Sequence, residues 1–211
     1  WKGVKVWLPS MKEQRRIVEI LDAAQGLIDQ RKEQLALMDQ LVQSLFYGMF
    51  GEYLLGNRKC GWEKVIDCLS IIDYRGKTPE KSKSGVRLIT AKNVRPFVVN
   101  RTPEEFIPAK NYEGWMSRGL PENGDVLFTT EAPLGNAAIL HFKEPVVIGQ
   151  RLITLRPDPE KHTASFLVHC LQSKQIQFEI NRRSTGSTVK GIRSKEFRQI
   201  EIPTPPLTLQ T

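Results

Sequence analysis

One short motif occurs twice in the chain: residues 5–14 read KVWLPSMKEQ, and residues 201–210 read EIPTPPLTLQ. Each copy has an apolar, strand-like lead followed by a proline, one more residue, Met or Leu, two further positions and a glutamine. The first copy runs on into a long helical pattern, whereas the second stops at Thr211. Two copies that flank one globular segment predict one period of an alternating array of helix and domain.

A single long helix is predicted from residue 11 to about residue 47. Ser10 and Glu13 form a capping box, in which the hydroxyl accepts the Glu13 backbone N–H and the carboxylate accepts that of Ser10. Gly48 and Gly51 are the predicted terminators, because no proline interrupts the pattern before them.

An apolar seam follows the predicted helix at steps of three, four or seven residues, which is typical of helices that pair. The seam consists of Ile17, Leu21, Ala24, Ile28, Leu35, Met38, Val42 and Leu45, with Arg31 as its charged interruption. Ile20, Leu27 and Leu41 widen the stripe towards a bundle. A helix of about 35 residues spans roughly 50 Å, so we expect it to pack against another helix. The alternative is a helix that lies across the sheet of its own domain.

From Gly61 onward, short strand-like pieces alternate with Gly, Pro and Asn, which predicts an α+β domain of roughly 150 residues. The predicted strands are residues 86–90, 97–99, 125–130, 137–142, 146–148, 152–156 and 199–202. Helices are predicted at residues 164–182 and 194–199. The first of these offers Phe166, Leu167, Cys170, Leu171, Ile176 and Phe178 to a core. The fold class is therefore α+β: one long coiled-coil-forming helix followed by a mixed α/β domain.

The composition favours a polyanionic partner. The net charge is +8 and the isoelectric point is about 9.5, which indicates nucleic acid first and an anionic membrane surface second. A basic protein without such a partner is the alternative. The sequence contains neither a membrane-span pattern nor a signal-peptide pattern. Cys60, Cys68 and Cys170 have no metal-ligand spacing, and so sparse a set fits reduced thiols in a cytoplasm.

No set of residues in the sequence converges on catalysis. The run GKT at residues 76–78 resembles the end of a P-loop, but Ile71 stands where its first glycine is required. His141, His162 and His169 are scattered and match no usual metal pair. Glu131 has two equally good interpretations: a polar loop residue that reads a binding partner, or a solvated turn residue. The sequence therefore predicts a non-catalytic protein without a metal or cofactor of its own.

Three basic loops are the better signals. They lie at residues 75–83, 90–95 and 181–190, and they combine Arg, Lys and Asn with hydroxyl side chains. Such groups contact phosphates, and Arg, Lys and Asn also read base edges in the major groove. A solvated basic loop explains any one of them equally well. Three in one domain with a high net charge favour nucleic acid.

Together these features make the chain resemble the specificity subunit of type I restriction–modification systems, over nearly its whole length. The junction IPTPPLTLQ at residues 202–210 is similar to the family's motif apolar-Pro-x-Pro-Pro-Leu-x-x-Gln. Further similar pieces are GWEKV at 61–65, GKTP at 76–79, GDVL at 124–127, LGNAA at 134–138, and STGST at 184–188 with Ile192. The departures are a single recognition domain, a second helix that is absent beyond Thr211, and Pro9-Ser10 in place of a Pro-Pro pair.

The resemblance implies the following organisation. Residues 1–10 are the end strand and junction of a preceding recognition domain, and residues 11–50 are a conserved spacer helix. Residues 51–203 are a target-recognition domain, and residues 204–211 begin a second, truncated helix region. Whether the native chain is a full two-domain subunit, a half-subunit that dimerises or an inactive fragment stays open.

The resemblance also implies a function: recognition of one half-site of a bipartite double-stranded DNA target, with the helix as spacer. Its partners would be DNA methyltransferase (M) subunits, which bring S-adenosylmethionine, a restriction (R) subunit, and a second helix supplied by another copy or half-subunit, in a prokaryotic cytoplasm and without a membrane. The expected DNA contacts are Arg75, Lys77, Thr78, Lys92, Asn93, Arg182, Arg183, Thr185, Ser187, Thr188 and Lys190. The expected helix-pairing residues are Ile17, Leu21, Ile28, Leu35, Met38, Val42 and Leu45.

Two other hypotheses remain. One is a protein-interaction adaptor whose coiled coil does the binding and whose basic loops give only non-specific affinity for DNA. The other is an enzyme with a cryptic site, which has the least support because no acid, base, nucleophile and metal converge. A DNA reader differs from an adaptor in its salt response, since a sequence-dependent part of its affinity survives as salt rises.

Overall fold

The computed structural model describes Gly3 and residues 7–56, 61–76 and 78–211. The predicted DNA contact Lys77 lies outside these residues, as do Cys60 and most of the end strand expected within residues 1–10. The chain divides into two compact units, residues 1–49 and residues 50–211. Each unit is described by itself.

The long helix α1 runs from Met11 to Leu54. The predicted capping box at its start is confirmed: the Glu13 amide donates to Ser10 Oγ at 3.3 Å, and the Ser10 amide donates to Glu13 Oε2 at 3.1 Å. The predicted end is wrong, because Gly48 and Gly51 both lie inside the helix.

The last turn of α1 belongs to the second unit and explains why the glycines do not end the helix. Phe50 and Leu54 are buried there, and the Phe50 ring packs edge-on against Phe166 with centroids 4.9 Å apart. A glycine inside a helix costs about 0.5–1 kcal/mol relative to alanine, whereas burying one large apolar side chain contributes about 1.5–3 kcal/mol. Tertiary packing therefore extends the helix beyond its local stop signal.

The second unit is a mixed α+β domain, as the sequence predicts. Its strands are β1 (Gly61–Lys64), β2 (Leu69–Asp73), β3 (Val86–Ile89), β4 (Val94–Arg95), β5 (Val98–Val99), β6 (Phe106–Ile107), β7 (Val126–Thr129), β8 (Ala137–Ile139), β9 (Val146–Ile148), β10 (Leu152–Pro157) and β11 (Glu201–Thr204). Its helices after α1 are α2 (Val65–Cys68), α3 (Tyr112–Trp115), α4 (Ala164–Gln172), α5 (Lys174–Arg182), α6 (Ser194–Arg198) and α7 (Leu207–Gln210), with a 3₁₀ turn at Ala109–Asn111.

Two sheets form the centre of this domain. The larger is antiparallel with strand order β2-β10-β7-β8, and the smaller has the order β6-β3-β9, in which β3 and β9 are parallel. The residues of β7 are fully buried, and the Phe128 ring stacks on Phe197 of α6 with centroids 4.4 Å apart. The connection from β9 to β10 joins the two sheets, and the loops at this join form the site described below.

A ribbon of β1 and β11 closes the domain. Gly61 pairs with Thr204 and Lys64 pairs with Glu201 in antiparallel register. The last strand lies two residues later than predicted, because residues 197–200 form a turn in which the Ile200 amide donates to the Phe197 carbonyl at 3.1 Å. The ribbon brings the first and last strands of the domain side by side.

The helix predicted at residues 164–182 is two helices. Ser173 ends α4 and caps α5: its hydroxyl donates to the Cys170 carbonyl at 2.6 Å and accepts from the Ile176 amide at 3.4 Å. The break turns α5, so the core role predicted for Phe178 is wrong. Its side chain is 66% exposed, whereas Ile176 is buried.

The repeated motif has the same internal contact in both copies. Gln14 donates to the Pro9 carbonyl at 2.8 Å, and Gln210 donates to the Pro205 carbonyl at 2.7 Å. In the second copy the Gln210 side chain is buried and also bonds the Lys161 carbonyl at 2.9 Å and the Thr163 amide at 2.9 Å. The motif is therefore a turn-stabilising unit, and its second copy is docked on the domain.

We expect Gln210→Ala to lower the free energy of unfolding by about 2 kcal/mol, because it leaves the Thr163 amide and two carbonyls without a buried partner. Gln14→Ala is the matched control in the first copy, where Gln14 is half-buried, and it should cost less than about 0.5 kcal/mol. Urea unfolding followed by tryptophan fluorescence measures both values. Equal losses in the two variants would contradict the docked role of Gln210.

Candidate nucleic-acid interface

Parts of all three predicted basic loops line two adjoining hollows in the second unit. The hollows have volumes of about 500 Å³ and about 280 Å³, and both are lined by Gln150 and Arg151. We call them together the basic cleft. The charged side chains that line it are Arg75, Lys81, Lys92, Arg151 and Arg193 against Glu105 and Glu131.

Arg75 is held in place at the edge of the cleft. Its guanidinium donates to both carboxylate oxygens of Asp73, at 2.9 and 2.7 Å, and to the Ile192 carbonyl at 3.2 Å. Arg118 supports the same segment, with donations to the Asp73 carbonyl at 2.7 Å and the Arg75 carbonyl at 3.2 Å. Arg75 therefore fastens the first loop to the loop that ends at Ile192.

The Asp73 carboxyl is ionised at ordinary pH. Burial by itself would raise its pKa, but hydrogen bonds from the Arg75 side chain and amide, the Arg75 charge and the Ser194 hydroxyl outweigh burial and lower that pKa. The Ser194 hydroxyl donates to Asp73 Oδ2 at 3.0 Å. One carboxylate thus links β2, the first loop and α6.

The loop of residues 185–191 is closed by a short ladder. The Thr185 amide donates to the Gly191 carbonyl and the Gly191 amide to the Thr185 carbonyl, both at 2.9 Å. Gly186 has φ +107°, and a Cβ there would lie 2.1 Å from the Val189 carbonyl oxygen, so this turn requires glycine. Between these closures the predicted DNA contacts Thr185, Ser187, Thr188 and Lys190 are exposed.

The loop of residues 90–93 contributes Lys92, whose side chain is exposed and lines the cleft. The DNA contact predicted for its neighbour Asn93 is wrong. Asn93 is 1% exposed, accepts from the Thr90 amide at 2.9 Å, and donates to the carbonyls of Asn100 and Pro103 at 3.1 and 2.9 Å. Because its amide is occupied inside the loop, Asn93 shapes the turn that presents Lys92.

Thr78 is exposed and lies on the smaller hollow. Its hydroxyl donates to Gln150 Oε1 at 2.9 Å. This contact joins the first loop to the connection between β9 and β10.

Arg182 and Arg183 lie apart from the rest of their predicted loop. They end α5 and line a different cleft of about 690 Å³, together with Trp62, Phe178 and Glu201 among others. Glu179 pairs with Arg182 at 2.7 Å and lies 3.6 Å from Arg183. The structure therefore does not bring these two arginines together with Lys92 and Thr185 on the basic cleft.

Sequence reasoning missed Gln150, Arg151 and Arg193 as members of the site, and left Glu131 open. Gln150 and Arg151 lie in the connection between two correctly predicted strands, β9 and β10. Their polarity and their place next to a sheet edge were the signal from which they could have been found. Arg193 directly precedes a predicted helix. No local pattern showed that these residues meet the first basic loop.

Cys68 and His162 are buried side chains. Burial raises the pKa of the Cys68 thiol to about 12. Burial is also the largest influence on His162 and lowers its pKa, while its ring nitrogen Nε2 donates to the Pro203 carbonyl at 3.1 Å. Among the described residues, no group of three or more His, Cys, Asp or Glu side chains is placed to hold a metal ion. Across the same residues, no helix is long and apolar enough to cross a membrane.

Residues 71–211 match the family described as the type I restriction modification DNA specificity domain. The match begins within β2 and covers every loop of the basic cleft. The chain belongs to this family.

Two curated relatives are specificity subunits from Methanocaldococcus jannaschii. The type I restriction enzyme MjaVIII specificity subunit is 24% identical over the whole chain and 53% of its own length. The putative type I restriction enzyme MjaX specificity subunit is 26% identical over 99% of the chain and 50% of its own length. The chain thus spans about half the length of the curated relatives it matches.

The crystal structure of the HsdS subunit from Thermoanaerobacter tengcongensis shares the fold. It has a TM-score of 0.55 at 21% identity, over 96% of this chain and 49% of that one. A second structure, from a study of complex assembly and conformational transition in the type I R-M system, has a TM-score of 0.54 at 21% identity, over 96% and 50% of the two chains. The chain therefore shares its fold with these two structures.

The Asp73 carboxylate predicts a pH-dependent stability. Its folded pKa lies below the ordinary value of 3.8, so the carboxylate stabilises the fold above that pH, and this contribution is lost as the pH falls through the lower, folded-state pKa. We expect Asp73→Asn to lower the free energy of unfolding by about 1 kcal/mol at pH 7, with the difference shrinking below pH 3.8.

Urea unfolding of both proteins from pH 7 to pH 2.5 measures this difference. Glu113→Gln, which removes an exposed carboxylate of α3, is the matched control for the loss of one negative charge. A constant difference between Asp73→Asn and the parent across the range would contradict the role of Asp73.

Proposed function

We propose that the chain acts in sequence-specific DNA recognition within a type I restriction–modification complex, and that the second unit binds one half-site of a bipartite duplex target. The observation that carries this proposal is the convergence of separate basic loops on one cleft. Membership of the specificity-domain family supports it.

The charges of the cleft fit a polyanion. Arg75 is occupied by Asp73, but Lys92 and Arg193 on the cleft and Lys190 in the adjoining loop are exposed, and no ion pair to them is formed by any described residue. Cations of this kind are suited to phosphate contacts, which supply much of the affinity and fix the register on the duplex. Lys77 belongs to the first basic loop, at residues 75–83. It stays a proposed contact, although it lies outside the described residues.

The hydroxyl side chains of the same basic loops fit base edges. Thr78, Thr185, Ser187 and Thr188 present exposed hydroxyls, which both donate and accept. Their loops are anchored by backbone pairing and by Arg75, so the hydroxyls are held by a rigid support. A rigid support is what discrimination between bases requires.

The first unit fits a spacer that pairs with another helix. The residues predicted to pair the helix are each 45–64% exposed. They are Ile17, Leu21, Ile28, Leu35, Met38, Val42 and Leu45. An apolar stripe of this length on a rod is stabilised by a second helix. We propose that the pairing helix is antiparallel and comes from a second copy or a second half-subunit, so that the rod length sets the distance between half-sites.

The chemistry in this proposal belongs to the partners. Methyltransferase subunits would dock on the helices and recognition domains and would hold S-adenosylmethionine, and a restriction subunit would complete the complex. The chain itself would be non-catalytic, which agrees with the specificity-subunit names of its relatives.

A protein-interaction adaptor is the second candidate, because the exposed seam of α1 and the 66% exposed Phe178 also fit protein partners. In that case the basic cleft would bind DNA without sequence preference. Selection of bound duplexes from a random-sequence pool at physiological salt distinguishes the two. A short enriched motif supports the reader, whereas weak binding that disappears as salt rises supports the adaptor.

We expect Lys92→Ala to weaken duplex binding at every sequence and to reduce the slope of log affinity against log salt by about one. Lys110→Ala is the matched control, since Lys110 is exposed in the same domain but lines neither hollow of the cleft. Fluorescence anisotropy at several salt concentrations measures both. The paired variant Arg182→Ala/Arg183→Ala tests the separate cleft: a loss that equals or exceeds that of Lys92→Ala would move the interface there.

For the helix we expect Leu21→Lys with Ile28→Lys to abolish self-association, because two charges enter the apolar seam. Gln30→Lys with Gln40→Lys adds the same charge outside the seam and should leave association unchanged. Sedimentation velocity measures the oligomeric state of each. Retention of the parent's state in the seam variant would show that the seam does not pair helices.

A further inference from the structure

The basic cleft contains one acidic and one basic side chain in direct contact, Glu131 and Arg151. Arg151 Nε lies 3.1 Å from Glu131 Oε1. Both side chains are about half exposed, 51% for Arg151 and 46% for Glu131. Both line the larger hollow, beside Gln150.

The backbone beneath this pair is held firmly on both sides. The Arg151 carbonyl accepts from the Thr130 amide at 3.0 Å and from the Thr130 hydroxyl at 3.2 Å. Glu131 forms an antiparallel bridge with Gly191. A Cβ at residue 191 would lie 3.3 Å from Glu131 Cβ, which is a tight contact, so the loop approaches Glu131 closely here.

Stability does not account for the pair. Exposed ion pairs contribute little to folding, because water screens the charges and two long side chains lose freedom. The buried hydrogen bonds of Thr130 already fix the backbone at this point. A fixed donor beside a fixed acceptor, facing an open cleft, instead has the form of a recognition element.

We propose that Glu131 and Arg151 together read one G·C base pair in the major groove, an inference that rests on the proposed DNA-recognition function. Guanine presents two acceptors, N7 and O6, and cytosine presents the N4 amino donor next to them. Arginine donates to both guanine atoms, and a carboxylate accepts from the cytosine amino group. The adjacent Arg151 and Glu131 match this order of acceptors and donor, so one contact pair reads both bases.

An A·T pair fits the same two side chains less well. Adenine places its N6 donor beside N7, so the arginine fork meets one acceptor and one donor on the same base, and the thymine methyl group stands next to O4. Arg151 would lose one of its two bonds there. The pair therefore predicts a preference for G·C at one position of the half-site, and Gln150 is placed to contact a neighbouring position.

The test is the motif selected by this chain from a random duplex pool, compared with the motifs of four variants. Glu131→Gln should lower the preference for G·C at one position about tenfold, and Arg151→Ala should lower it at the same position by a similar factor. Other positions should keep their preference. Glu144→Gln, in the exposed Arg101–Glu144 pair at 3.5 Å, is the matched control and should leave the whole motif unchanged.

The double exchange E131R/R151E separates reading from support, because it retains an ion pair but inverts donor and acceptor. Under the proposal the exchanged protein still lacks the G·C preference at that position. A structural role would instead be rescued, with the parent motif restored, and this result would overturn the proposal. Circular dichroism and thermal unfolding of each variant confirm that the fold is intact.

Different results contradict the reading of a G·C pair by Glu131 and Arg151 and the proposed DNA recognition by the whole chain. If the parent selects a motif that Glu131→Gln and Arg151→Ala leave unchanged, the reading role is wrong and DNA recognition stands. If the parent selects no motif, DNA recognition by this chain fails, and the reading role fails with it.

Discussion

The antiparallel ribbon of β1 and β11 is the constraint on which the second unit depends. It pairs Gly61 with Thr204 and so fixes the start of the domain beside its end. Gln210 then fastens the following turn to the same domain through Lys161 and Thr163. The start and the end of the domain are therefore held at one place, and the sheets lie in the chain between these two boundaries.

The basic side chains of the cleft have two different roles: one holds the loops in place, and others are open to solvent. Asp73 occupies Arg75 and uses it to connect two loops, whereas Lys92 and Arg193 stay open to solvent. A surface that only attracted polyanions would not need the Asp73–Arg75 ion pair that connects two loops. The combination of anchored loops with unpaired cations is what a site needs if phosphate attraction and discrimination between bases are to act together.

The sequence predicted the helix start and most strands, because these signals act over a few residues. The capping box of Ser10 and Glu13 is such a signal, and the structure confirms it. The end of α1 could not be predicted in this way, since Phe50 packs on Phe166, which is distant in sequence. Phe178 was misjudged for a related reason: Ser173 breaks the helix and changes the face that α5 buries.

The sequence by itself determined the repeated motif, the α+β class and the basic composition of the loops, since each depends on local periodicity or on residue type alone. Only the tertiary structure decided which of those basic loop residues share a cleft. It buried Asn93, occupied Arg75 and brought Glu131 against Arg151. The physical reason is that availability to a partner depends on burial and on through-space pairing, which arise only when distant segments pack.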